Sequence, residues 1–163
     1  MIRYNLILGA FFGMVVVIGG PIGEPYAKMK FSDDLKEKAV MVAGPPLADG
    51  SPGPAVMEIS TVDRQESAQR WESYQDGLRY IAFHTLALTV LGLASQGGWG
   101  QAIGGIGFAV GTLLFGCGTA VAAVFDAPTF AVFASVGAMF LLAGWIGLFI
   151  AAISVRPAVA TEA

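Results

Sequence analysis

The chain has 163 residues, of which 55% are hydrophobic and only 13% charged, with a mean hydropathy of +0.68. Soluble domains carry about a quarter charged residues, so this composition indicates a membrane protein. The net charge of −3 and the lack of any Lys/Arg cluster argue against nucleic acid as a partner. One cysteine, Cys117, cannot close an internal disulfide, and no Cys/His spacing suggests a metal.

Taken in chain order, the charges fall in one region: seven of nine Lys/Arg and ten of twelve Asp/Glu lie between Glu24 and Arg79. Before it, residues 6 to 22 form an uncharged apolar run of 17 residues. That length is at the short end of the roughly 17 to 25 that span a bilayer as a helix. Arg3 and Tyr4 precede it as interfacial anchors, so the first span is set at about residues 4 to 22. A secretory signal peptide competes with this reading, since a short basic start, an apolar centre and small residues near Ala27 fit that pattern too. Gly9 and Gly13, four apart, favour a span by giving the helix a flat side for close contact. Gly19, Gly20 and Pro21 mark its expected end.

The polar region, residues 24 to 70, reads as a loop outside the membrane inserted between the first two spans. Within it, Ser32 followed by Asp33, Asp34 and Glu37 predicts a short helix capped at Ser32 and stopped by Gly44, Pro45 and Pro46. Leu35, Ala39 and Val42 share one face of that helix, to be rested on protein or the bilayer surface. The next stretch, GPPLADGSPGP, holds four prolines and three glycines in 11 residues and predicts an irregular connector.

Helical signals resume at Ser60 and Asp63, which have capping-box spacing. Glu66 with Arg70 is an i,i+4 pair, and Trp71, Tyr74, Leu78, Ile81 and Thr85 recur on one face. The face continues without interruption into an apolar segment, predicting one long helix, part in water and part in lipid, with its span at about residues 78 to 96. Residues 95 to 101, SQGGWGQ, form a short turn carrying Trp99 to the interface, which implies an antiparallel hairpin of helices.

Residues 102 to 125 are 24 uncharged residues and a third span. Gly104, Gly107, Gly111, Gly116 and Gly118 along it suit close helix contact in lipid. Asp126, Ala127 and Pro128 predict a tight turn in which Asp126 or Ala127 caps the last helix and Pro128 sits in its first turn. A fourth span follows at about residues 129 to 155, with Gly137 and Gly144 as contact positions, and ends at Arg156 and Pro157. The fold class is therefore all-α: an integral membrane four-helix bundle, residues 1 to 163 in a single membrane domain. Counting Lys/Arg places the polar loop in the cytoplasm by seven against two, while loops near 60 residues can translocate regardless of charge, so both orientations stand.

Few residues could carry chemistry. His84, the only histidine, follows Tyr80 by one turn and shares a side with Gly77, Ile81, Leu88 and Leu91, so it should face other helices. Its functional readings are proton relay, quinone contact or haem ligation. The preferred structural reading is a neutral imidazole hydrogen-bonded to Tyr80, Thr85 or a backbone carbonyl of another helix. Haem ligation is weakened because no second histidine exists, and a relay is weakened because the other spans carry no acid or base. Arg79 and Asp76 mark the entry into lipid, where an interfacial Arg pairs locally or meets a lipid headgroup. Trp71, Tyr74, Trp99 and Trp145 read as interface or contact aromatics, and Cys117 as a small apolar residue with an inert thiol.

Gly77, Tyr80 and His84-Thr85-Leu86-Ala87-Leu88 resemble the centre of the YgdD-like small inner-membrane proteins, domain-of-unknown-function family 423, which has mitochondrial relatives in animals. The residues from Gly111 to Cys117 match its third span loosely, and Gly137, Phe140 and Ala143-Gly144-Trp145 match its last. The resemblance covers residues 5 to 22 and 72 to 153. It implies a four-helix membrane protein, in a bacterial inner membrane, with no established activity. Three departures accompany it: no histidine at residues 19 to 24, Ile81 where the family places glutamine, and a loop expanded by roughly thirty residues.

The expected role is a non-catalytic accessory or structural subunit that contacts the lipid bilayer and other membrane proteins, through its spans and residues 24 to 70, with no cofactor. The alternative is a small-ligand binder or carrier holding a quinone, lipid or haem at His84 and Tyr80. An enzyme is not expected, since no nucleophile and base pair, paired acids or metal set is visible.

Overall fold

The computed structural model describes residues 2 to 94, 97 to 127 and 129 to 154. The protein is mostly helical, with helix α1 at Ile2–Val17, α2 at Gly23–Glu37, α3 at Thr61–Ala94, α4 at Trp99–Gly111, α5 at Gly118–Phe125 and α6 at Phe130–Ile153. Two strands, β1 at Val40–Gly44 and β2 at Gly53–Glu58, pair as one antiparallel hairpin.

The expected stop at Gly19, Gly20 and Pro21 does not occur. Ile18–Ile22 widens into a π-helical turn that absorbs Pro21, joining α1 to α2 in one run. Proline lacks the N–H of a normal turn and crowds the preceding carbonyls, so backbone groups need new partners. One is supplied: the Tyr74 hydroxyl donates to the Gly19 carbonyl at 2.5 Å. Ser32 therefore lies inside α2 and caps nothing, and Val42 belongs to a strand instead of a helix face. Ala27 and Phe31 are the buried residues of α2, set against Tyr74, Ala120 and Ala123.

The Pro/Gly connector is likewise ordered. Val40 pairs with Glu58, Met41 with Met57 and Val42 with Val56, with an irregularity before Gly44. Leu47 and Gly50 close the turn between the strands, Gly50 adopting φ +81° and Asp49 accepting from the Ser51 amide and hydroxyl. Pro54 fits β2 because a two-stranded ribbon has only edge strands, where a missing N–H need not break a ladder.

Helix α3 starts as its sequence implies, the Asp63 amide donating to the Ser60 hydroxyl at 3.1 Å, and runs for 34 residues, about 51 Å. Glu66 and Arg70 do not pair. Glu66 accepts from Lys38, while Arg70 turns toward Asp34 and the end of α5, because partners brought by the fold outcompete a solvated neighbour.

Among the described residues, three helices are long and apolar enough to cross a membrane: Arg3–Glu37, Trp99–Phe125 and Val132–Ile153. The protein is thus a membrane protein. Helix α3 is not among the three. Its apolar half supplies Ile81, Leu88 and Leu91 to the core, which Phe12, Phe108 and Leu141 complete. Contacts run in opposite directions along α1 and α3, and along α4 and α6, so these neighbours are antiparallel. A second π-helical turn, Thr112–Cys117, links α4 to α5 beside α3. Asp126 ends α5 in the left-handed region, φ 51°, and so closes that helix instead of opening α6. Pro128, the turn residues Ser95 and Gln96, and the expected end at Arg156 and Pro157 lie outside the described residues.

Candidate functional site

Helical spacing turns His84 inward on α3, where it is 5% exposed. Its Nδ1 lies 2.7 Å from the backbone carbonyl of Tyr80. A carbonyl can only accept, so Nδ1 carries the proton, and in the neutral ring Nε2 is left as an acceptor. The bond is to the histidine's own helix and not to a neighbouring one.

Four aromatic rings surround it. Tyr80 stacks along the imidazole at 6.3 Å, Phe83 meets it edge-on at 6.0 Å, Phe108 from α4 lies at 5.8 Å, and Trp145 from α6 at 6.3 Å. Trp145 is itself fixed edge-on against Phe108 at 5.3 Å. Outside this group a cleft of about 450 Å³ is lined by Asp76, Arg79, Tyr80, Phe83, His84 and Trp145. Phe83 is 61% exposed, so the wall opens to the exterior. At the mouth Arg79 donates to Asp76 at 3.0 Å. The cleft thus brings together His84, whose Nε2 is a spare acceptor, three aromatic side chains and one guanidinium balanced by a carboxylate.

The other sequence candidates lie elsewhere. Trp71 and Tyr74 stack on each other at 5.8 Å within the joint between α2 and α3, where Lys28 sits over the Trp71 ring at 4.8 Å. Trp99 is 85% exposed at the start of α4. Among the candidate glycines, an added Cβ at Gly107 would lie 2.5 Å from the Gly144 amide nitrogen, and at Gly137 2.5 Å from that of Phe115. At Gly9, Gly104, Gly111, Gly116 and Gly144 it would press on side chains of Thr89, Leu91, Leu141, Ile81 and Phe108. Gly13 has only an ordinary contact with Thr85, and Gly118 has nothing within 4 Å, so Gly118 holds no helix pair. Cys117 is half-buried beside an apolar groove with Phe130 and Phe133. Among the described residues no group of three His, Cys, Asp or Glu could hold a metal.

Two features escaped the sequence. Arg70 is a node: its Nε donates to the Ala123 carbonyl at 3.0 Å, and one terminal nitrogen to Asp34 at 2.9 Å and to the Val124 carbonyl at 3.3 Å. It thereby caps α5, whose last carbonyls and dipole favour a cation. Burial acts to raise the Asp34 pKa, but the hydrogen bonds from Arg70 and Lys30 outweigh it and hold the carboxyl below its ordinary value. The second feature is buried polarity: the Asn5 amide nitrogen, both polar side-chain atoms of Gln101 and the Thr112 hydroxyl are buried without a hydrogen-bond partner among the described residues. Their signal was present, since Thr112 is a polar residue within an apolar run and Asn5 and Gln101 stand at the start of one.

Residues 59–138, from the start of α3 into α6, match the family described as protein of unknown function (DUF423). No curated protein and no solved structure matches the chain. The match contains His84 and the stretch from Gly111 to Cys117, where the resemblance was read. Residues 59–138 of the chain belong to the DUF423 family.

Proposed function

We propose that the protein is a non-catalytic accessory or structural subunit of a larger membrane complex, a bundle of four spans in a bacterial inner membrane with its hairpin reaching a partner protein. The observation that carries this reading is the hairpin. Val40, Met41, Val56 and Met57 are exposed on it, and it makes no extensive contact with the helices. An isolated two-stranded hairpin is marginal in water, and apolar residues clustered on one expect a partner. The apolar half of α3 lies among the core residues of α1, α4 and α6, which supports counting α3 as the fourth span. Gentle extraction from native membranes followed by crosslinking from residues 40 to 58 should capture one defined partner. Recovery as a free monomer with no crosslinked partner would count against the proposal.

A second reading rests on a different observation, the cleft at His84. A lipid-facing aromatic cavity with one spare acceptor is suited to hold a small ligand, and about 450 Å³ lies within the range of ligand pockets. Chemical extraction of the purified protein, compared with a His84→Ala variant, tests it: ligand content unchanged by the substitution would remove it.

A further inference from the structure

We propose that the cleft between α3 and α6 takes a quinol, a hydroxylated aromatic ring carried on an apolar tail. This rests on the ligand-binding reading of the cleft and assigns the class of ligand. The floor sets the first requirement. His84 spends Nδ1–H on the Tyr80 carbonyl, so its remaining nitrogen Nε2, which has no hydrogen-bond partner among the described residues, can only accept from a neutral ring. A ligand must therefore bring a donor such as a ring hydroxyl. The walls set the second: Tyr80, Phe83 and Trp145 present ring faces and edges, which favour a flat aromatic guest in offset or edge-on contact.

The rim sets the third requirement. Arg79 is already paired with Asp76, so the mouth is close to charge-neutral, and a phosphate or carboxylate would meet the Asp76 carboxylate as well as the guanidinium. A neutral oxygen avoids that repulsion and can still accept from the guanidinium, which keeps further N–H groups. Arg79 and His84 both line this cleft, five residues apart on one helix and about 7.5 Å apart along its axis. One ring bearing hydroxyls at opposite positions can thus address both, its first hydroxyl donating to Nε2 and its second accepting at the rim. The open side at Phe83 gives an apolar tail a way into the surrounding lipid.

The test is a titration of the protein in phosphatidylcholine nanodiscs with decylubiquinol, read by quenching of tryptophan emission from Trp145. Saturable quenching is expected, with affinity about tenfold weaker in His84→Ala and about threefold weaker in Arg79→Gln, as loss of one hydrogen bond each implies. Quenching without saturation, or unaffected by both substitutions, overturns the proposal. Where His84→Ala loses its helical circular dichroism, an arylazido-quinol on the unaltered protein decides: labelling within residues 76 to 84 and at Trp145 supports it, and labelling spread over the other helices overturns it. Phospholipid or haem retained in a His84-dependent manner, with no saturable quinol, leaves the cleft a binding site and rejects the quinol. Absence of any His84-dependent binding rejects both.

Discussion

Two regions of the molecule hold helices together by opposite means. Between α4 and α6 backbones approach closely and the contacts are apolar: Gly107 faces Gly144, Gly100 and Gly104 face Gly147 and Ala151, and Phe108 meets Trp145 edge-on. In the joint of α2, α3 and α5 the contacts are charged and directional, with Arg70 bonded to Asp34 and to two carbonyls, and Tyr74 to Gly19. Lipid removes the hydrophobic drive between apolar helices, so close approach and dispersion must supply attraction there. Outside lipid, or at its edge, apolar burial and paired polar groups work together. The same chain therefore needs small residues in one half and Arg, Asp and Tyr in the other.

The largest expected effect breaks the first kind of contact. Gly107→Ala puts a Cβ against the backbone of Gly144 and the Phe140 carbonyl, where no rotamer can relieve it. We expect a loss of about 3 kcal/mol in denaturant unfolding of the detergent-solubilised protein, the upper end for overfilling a tight core. Gly118→Ala, with nothing within 4 Å, should change stability by no more than about 0.5 kcal/mol. Equal effects would mean that the glycine contacts do not hold α4 to α6.

Next in size is the polar joint. Arg70→Met leaves the Ala123 and Val124 carbonyls without this donor and Asp34 with Lys30 alone, and a loss of about 2 kcal/mol follows, because the arginine side chain is only 11% exposed. Lys36→Met, removing the exposed pair with Asp33, should be near neutral. Acid offers an independent test. Asp34 is held below its ordinary pKa in the folded chain, so the unfolded chain binds its proton more readily. Its stabilisation is then fully present above about pH 4, the unfolded carboxylate value, and is lost as pH falls through the folded pKa. Trp71 emission should report the joint opening in acid, and Asp34→Asn should flatten that response. An unchanged acid response in Asp34→Asn would move the titration to another group.

The contrast between the regions also explains what could be read in advance. The start of α3 was legible because Ser60 and Asp63 are three residues apart and cap each other locally. The inward turn of His84 was legible because helical spacing fixes a face. Its neighbours Phe108 and Trp145 were not, since they arrive from two other helices and no periodicity connects them. Arg70 was assigned to Glu66, its neighbour in sequence, whereas its true partners lie 36 and 53 residues away. Pro21 was read as a stop because a proline normally ends a helix, yet a widened turn and the Tyr74 hydroxyl satisfy the groups it disturbs. The prolines of the connector were read as breakers for the same reason, and a hairpin made only of edges tolerates them.

Tyr74→Phe sharpens that point about Pro21. It removes one hydrogen bond from the Gly19 carbonyl while keeping the ring stacked on Trp71, and should cost about 1 kcal/mol. The loss should be abolished in a Pro21→Ala background, where an ordinary α-helical turn can form and satisfy the carbonyl itself. Additive effects of the two substitutions would show that the hydroxyl does not serve the widened turn.

The smallest effect concerns whether the hairpin belongs energetically to either region. Gly50 sits at φ +81° with open space around it, so Gly50→Ala strains only the backbone, by about 1 kcal/mol. Because the hairpin makes no extensive contact with the helices, that strain has no route into α2 or α3. Hydrogen exchange should speed up in Val40–Gly44 and Gly53–Glu58 while the amides of α3 keep their protection. Slower exchange in the helices would be unexplained, and faster exchange there would couple the hairpin to the joint through Lys38, which bridges to Asp63 and Glu66 just beyond β2. The Lys38 ammonium is held above its ordinary pKa by the Glu66 hydrogen bond, so it stays charged through neutral pH. A Lys38→Met variant then separates the two cases: it should leave the effect of Gly50→Ala unchanged if the hairpin is independent, and shrink its reach into α3 if that bridge is the connection.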